Sequence, residues 1–176
     1  MKRLSRQVVL SESAEDTMAL GSSMAAVLPP GMTVLLIGAL GAGKTTLVRG
    51  VCERLGCGRS VRSPSFTLVH EYRTDDGRLV VHADLYRLSG GDVDDLELES
   101  YIDDGALLFV EWADRGAIAE RGQRWTIRFD PSADEEYPSG RVLSFSAEGE
   151  EGRASMEAFL DHMHTMEADH GLDPLG

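Results

Sequence analysis

Apolar residues recur along this chain in short blocks, separated by glycine, proline and acidic turns, and the spacing within each block predicts its element. Gln7–Leu10 reads as a short strand. Ser13 follows as a helix cap, with Glu15 and Asp16 in the first turn, where negative charge is favourable. That helix carries Met18, Ala19, Met24, Ala25 and Leu28 and ends at Pro29-Pro30-Gly31. Thr33–Ile37 is an apolar run of strand length, of the kind buried on both faces of a parallel sheet. A glycine-rich turn leads into a helix over Lys44–Leu55, closed by Gly56.

The second half predicts an antiparallel hairpin of Phe66–Arg73 and Leu79–Asp84, turning at Asp75-Asp76-Gly77. A short acidic helix is expected at Asp92–Leu98. Leu107–Val110 is a second fully apolar strand, ending in Glu111. Arg124–Phe129 and Arg141–Ala147 read as late strands. After a charged linker at Gly149–Gly152, Arg153–Met166 places Met156, Phe159, Leu160 and Met163 at helical spacing. These elements predict an α/β protein with a mixed sheet. Residues 1–148 form one domain in this reading, and 149–176 a linker and an amphipathic terminal helix.

Composition narrows the classes. The chain has 176 residues and a net charge of −13, with 42% hydrophobic content, enough for a core of ordinary size. No apolar run approaches membrane-spanning length, and the N-terminus has no secretory pattern, so a cytoplasmic protein is expected. Cys52 and Cys57 read as reduced thiols, and His162, His164 and His170 as surface side chains. The charge is uneven: residues 1–62 carry eight basic and four acidic side chains, and the remainder nine and 26. An acidic chain of this kind excludes a broad, non-specific grip on nucleic acid. Lysine occurs only at positions 2 and 44.

Lys44 lies in Gly38-Ala39-Leu40-Gly41-Ala42-Gly43-Lys44-Thr45, a complete G-x-x-x-x-G-K-[ST] pattern between a strand and a helix. Glycines let the backbone N–H groups wrap a β-phosphate, and the helix that follows adds its N-terminal partial charge. Gly38, Leu40, Gly41, Ala42, Gly43, Lys44, Thr45 and Thr46 are therefore the candidate nucleotide-binding residues. Lys44 reaches the β- and γ-phosphates, and the Thr45 hydroxyl suits Mg²⁺. The second acid that holds the ion is sought at the end of another buried strand. Glu111 and Asp84 both qualify, and Glu111 is favoured because its strand is the more continuously apolar. Asp84 then either holds a water of the ion's outer shell or orients the attacking water. Ser63, Ser65 and Phe66 lie where nucleotide-sensing switch loops occur. Arg87 either approaches phosphate or pairs on the surface, and Trp112 either stacks on a ligand or covers the sheet edge. Arg49, Arg54, Arg59 and Arg62 form a candidate local patch facing nucleic acid or a protein partner.

Four segments occur together: Gly-x-Leu-Gly-Ala-Gly-Lys-Thr (38–45), Ser-Pro-Ser-Phe-Thr-Leu-Val (63–69), His-Ala-Asp-Leu-Tyr-Arg-Leu (82–88) and Val-Glu-Trp (110–112). In this order they resemble the bacterial TsaE (formerly YjeE) ATPase family over about residues 7–147. The resemblance implies a three-layer fold of the P-loop NTPase type, with a mixed, mainly parallel sheet and an antiparallel hairpin. It implies slow Mg²⁺-dependent ATP hydrolysis in threonylcarbamoyladenosine modification of tRNA, with TsaB and TsaD homologues as partners and tRNA contacted through that complex. By it, Lys44, Asp84 and Glu111 are catalytic and Thr45 and Glu111 hold Mg²⁺. Ser63, Ser65 and Phe66 belong to the switch, and Trp112 is a functional aromatic. The family usually has Asp where Ala39 stands and Thr where Ser65 stands. A small-molecule kinase, with Arg115, Arg121 and Arg124 as lid candidates, is the runner-up. A regulatory GTPase is disfavoured, because the chain has no Asn for the guanine-recognition motif.

Overall fold

A computed structural model describes residues 1–58, 61–88, 93–115 and 122–170, with backbone alone for 94 and 166–170. Eight strands form one sheet: β1 Lys2–Ser5, β2 Val8–Ser11, β3 Thr33–Gly38, β4 Val69–Arg73, β5 Leu79–Asp84, β6 Leu107–Glu111, β7 Arg124–Pro131 and β8 Arg141–Glu148. Their spatial order is β1-β2-β8-β7-β3-β6-β5-β4. The four central strands β7, β3, β6 and β5 run parallel, and antiparallel pairs extend the sheet at both edges. The four described helices are α1 Ala14–Ala25, α2 Lys44–Arg54, α3 Leu98–Asp103 and α4 Glu150–His170.

Strand alternation divides the core between two faces. Val34 and Leu36 of β3, Phe109 of β6 and Trp125, Ile127 and Phe129 of β7 join the side chains of α1, α2 and α4. Val81, Ala83, Leu108 and Val110 face the other way, beneath α3 and its flanking loops. The result is the expected three-layer α/β arrangement. Its first helical layer is closely packed: Gly21 of α1 faces the backbone of Leu47, and Gly50 of α2 faces the backbone of Met18, with no room for a Cβ at either glycine.

Several elements differ from the sequence reading. Strand β1 was not expected, because its side chains are mostly exposed at the sheet edge and show no apolar alternation. Helix α1 stops at Ala25, ahead of the prolines. The first hairpin strand begins at Val69 rather than Phe66. Leu68 is in the left-handed region (φ +66°) and its N–H bonds Pro64 O, so residues 64–68 form a turn. The acidic helix is displaced: a single 3₁₀ turn covers 94–96, left-handed Glu97 interrupts, and the α-helix is Leu98–Asp103. Asp92 lies outside the described residues.

The charged segment 149–152 is not a linker. Gly149 (φ +79°) makes the turn from β8, and α4 begins at Glu150. Helix α4 packs on the sheet. Phe159 is fully buried 5.4 Å from the rings of both Trp125 and Phe145, and Trp125 Nε1 donates to Gly152 O (3.0 Å) and Ser155 Oγ (3.1 Å). His162 and His164 are exposed; the His170 side chain lies outside the described residues. Cys52 and Cys57 are free thiols. Among the described residues no helix is long and apolar enough to cross a membrane.

Candidate functional site

The parallel strands converge at their C-terminal ends, where α/β sheets bind ligands. Register places Leu36 of β3 beside Glu111 of β6, and Glu111 beside Asp84 of β5. The loop 39–43 leaves the end of β3 and enters α2. Gly38 (φ +153°) lies so close to β7 that a Cβ would be 2.7 Å from Phe129 O. Gly43 (φ +102°) occupies the N-cap of α2, and no side chain caps that end. The first turn also holds no acidic residue, so the positive dipole end of α2 meets no carboxylate of its own turn. Leu40, 75% exposed, projects from the loop, whereas Ala42 is buried and Thr46 half-buried.

Lys44 is 3% exposed. Its Nζ donates to Gly38 O (2.8 Å) and Ala39 O (2.9 Å) and lies 4.2 Å from the centre of the Trp112 ring. Burial lowers its pKa from the ordinary lysine value, against the opposing pull of Glu111, Asp84 and Asp114. The Ala39 contact is through the backbone and needs no side chain at that position.

Thr45 Oγ1 donates to Glu111 Oε1 at 2.5 Å, joining the helix start to the end of β6. His82 Nε2 lies 2.9 Å from the same oxygen. Asp84, 2% exposed, is held separately: Ser65 Oγ donates to its Oδ2 (2.5 Å), Ser63 Oγ lies 3.0 Å from that oxygen and 2.7 Å from Ser65 Oγ, and Tyr86 N–H donates to Oδ1 (2.9 Å). The hydroxyl of Ser65 therefore suffices for this contact, without the methyl of Thr. Left-handed Leu68 accepts from Asp84 N–H (2.9 Å) and bends 63–68 back over the strand end.

The aromatic residues flank these acids. Trp112 is left-handed (φ +60°), its N–H bonds Leu36 O, and its ring lies 4.9 Å from Tyr86. Arg115 covers both rings and donates through Nη1 to Tyr86 O (2.8 Å). Arg87 instead lies over the ring of Phe66, which is 84% exposed, so this guanidinium is turned to the 63–68 segment. Sequence reasoning gave no role to His82 and placed Arg115 only in a hypothetical lid. No sequence spacing pairs His82 with Glu111, which it reaches across the β5–β6 register. Of the other arginines, Arg124 pairs with Glu148, Arg49 lies 3.5 Å from Val61 O, and Arg54 and Arg62 are exposed; Arg59 and Arg121 lie outside the described residues.

Fold and site together define an α/β protein of the P-loop NTPase type, with two carboxylates beside the phosphate-loop helix. The family model described as "Threonylcarbamoyl adenosine biosynthesis protein TsaE" matches residues 11–139, and the chain belongs to that family. It is similar to the tRNA threonylcarbamoyladenosine biosynthesis protein TsaE of Aquifex aeolicus, 44% identical over 114 residues, covering 64% of this chain and 80% of the relative. The protein of the same name from Bacillus subtilis is 37% identical over 150 residues, covering 85% and 89%. The crystal structure of Bacillus subtilis YdiB matches with a TM-score of 0.69 at 30% identity, over 88% of this chain and 94% of that one.

Proposed function

We propose that this protein is an ATP-hydrolysing factor for threonylcarbamoyladenosine modification of tRNA, acting in the cytoplasm with TsaB and TsaD homologues. The observation that carries the reading is the pair Thr45 Oγ1 and Glu111 Oε1, 2.5 Å apart beside buried Lys44 at the foot of an uncapped helix. The family membership supplies the tRNA context: its relatives carry that pathway in their names.

The residues fit both groups the reading requires. The glycine loop and uncapped first turn suit a triphosphate, and Thr45 and Glu111 offer the hard oxygen donors Mg²⁺ takes. When bound, the ion neutralises phosphate charge and helps align the phosphoryl group for attack. Lys44 holds its ammonium where negative charge must be balanced, and burial strengthens that interaction. Asp84 Oδ2, which accepts from the switch hydroxyls, orients a water once Ser63 and Ser65 withdraw. The switch thereby reports nucleotide state to the exposed Phe66–Arg87 pair, where a partner protein can read it. The acidity of the chain beyond residue 62 suits contact with tRNA through the partner complex, not through a basic face of its own.

A reconstituted modification assay with TsaB and TsaD homologues, ATP and tRNA tests this. Multiple-turnover formation of modified tRNA should depend on adding the protein and on ATP hydrolysis. Unchanged yield without it overturns the reading.

A further inference from the structure

Glu111 is held from two directions, and one of them has no part in the mechanism above. Thr45 reaches Oε1 from α2; His82 Nε2 reaches it from β5 at 2.9 Å. Neither bond falls on Oε2. His82 is fully buried, and its Nδ1 is the only buried side-chain nitrogen or oxygen among the described residues without a hydrogen-bond partner. This pattern assigns the proton: Nε2–H donates to the carboxylate, and Nδ1 keeps a bare lone pair. Placing the proton on Nδ1 would bury an unpaired donor and set two acceptors against each other.

An imidazole here is costly to the fold. Val80, two residues earlier on the same face of β5, packs into the apolar core, and a leucine at 82 would suit the same surroundings without stranding a nitrogen. What the ring adds is one directed N–H. Strand register explains its reach: His82 stands beside Phe109, with Glu111 two residues further along β6 on the same face. Metal-ligating side chains are characteristically oriented by partners of this kind.

We propose that His82 is a positioning residue for the Mg²⁺ site: through Nε2–H it fixes the Glu111 carboxylate, keeping its orientation when the Thr45 hydroxyl turns to the ion. The proposal rests on the reading of Thr45 and Glu111 as ligands. The test measures Mn²⁺ affinity by electron paramagnetic resonance on the full chain with a non-hydrolysable ATP analogue, for wild type, His82→Leu, His82→Gln and His82→Asn. Metal-free analogue binding and circular dichroism are recorded alongside. His82→Leu should weaken Mn²⁺ binding by about 10–100-fold while metal-free nucleotide affinity is unchanged. His82→Gln, whose amide N–H falls near the Nε2 position, should recover most of it, and His82→Asn, whose amide falls near Nδ1, should not. Wild-type affinity in folded His82→Leu overturns the proposal, as does equal loss in the Gln and Asn variants. The Gln–Asn contrast decides the matter should the leucine variant fail to fold. If wild type itself takes up no Mn²⁺ with nucleotide, the Mg²⁺ reading of the site falls, and this proposal with it.

Discussion

Helix α2 carries Lys44 and Thr45, and its distance from α1 is set by Gly21 and Gly50. A Cβ at Gly21 would meet Leu47 O, and one at Gly50 would meet Met18 O, each well inside the 3.0 Å that real Cβ contacts respect. Both obstacles are backbone carbonyls, which cannot turn aside as a side chain does. Gly21→Ala or Gly50→Ala therefore forces the helices apart by about 1 Å, enough to weaken the dispersion contacts between them. Overpacking of this kind costs about 3 kcal/mol at the upper end of its usual range, while alanine returns about 1 kcal/mol in helix propensity. The net expectation is about 2 kcal/mol, a fall in Tm of about 4–8 °C for a domain of this size. Thermal melts followed by circular dichroism measure it. The double variant is the sharper assay: one separation relieves both clashes, so its cost should fall short of the sum of the singles. Nucleotide affinity should drop in the same variants, since the phosphate loop moves with its helix. Strict additivity, or a neutral or raised Tm in either single variant, would refute the reasoning.

Lys44→Met should abolish nucleotide binding by calorimetry yet raise Tm at neutral pH. The buried ammonium has a pKa below the unfolded value of 10.5, so its cost is complete below the folded pKa and fades as pH rises toward 10.5. The Tm advantage of the Met variant should narrow over that window. Asp84→Asn should keep nucleotide binding and lower single-turnover hydrolysis by about 10²–10⁴-fold, the range of a lost acid–base or water-positioning group. Phe159→Ala should cost about 3–5 kcal/mol, roughly 10 °C in Tm by calorimetry, because the ring fills the space between α4, Trp125 and Phe145.

What could be read from the chain followed from how completely each segment is buried. Strands β3 and β6 are enclosed on both faces, so their apolar runs stand out, and the glycine–lysine–threonine spacing marks the loop between β3 and α2. Strand β1, exposed at the edge, had no such pattern to show. Glu150 and Glu151 resemble a linker by composition, yet they occupy the first turn of α4, where acidic side chains meet the positive end of the helix. The left-handed residues Leu68, Glu97 and Trp112 carry side chains that do not favour that conformation, so no local signal announced the turns that bend 64–68, displace the acidic helix and lay Trp112 over Lys44. The His82–Glu111 contact depends on the parallel register of β5 and β6, a property of strand pairing and not of sequence spacing.

The two strand-end acids are direct register partners, yet each is tied to a different part of the chain. Asp84 is bonded to the hydroxyls of 63 and 65, and Glu111 to the first turn of α2 through Thr45. The start of α2 therefore reaches Glu111 through one hydrogen bond, and the 63–68 segment reaches the Asp84 carboxylate through two. Both carboxylates also favour the charged form of the same buried lysine. Lys44 therefore lies in the field of two acids, one tied to the start of α2 and the other to residues 63 and 65, all at the C-terminal ends of neighbouring parallel strands.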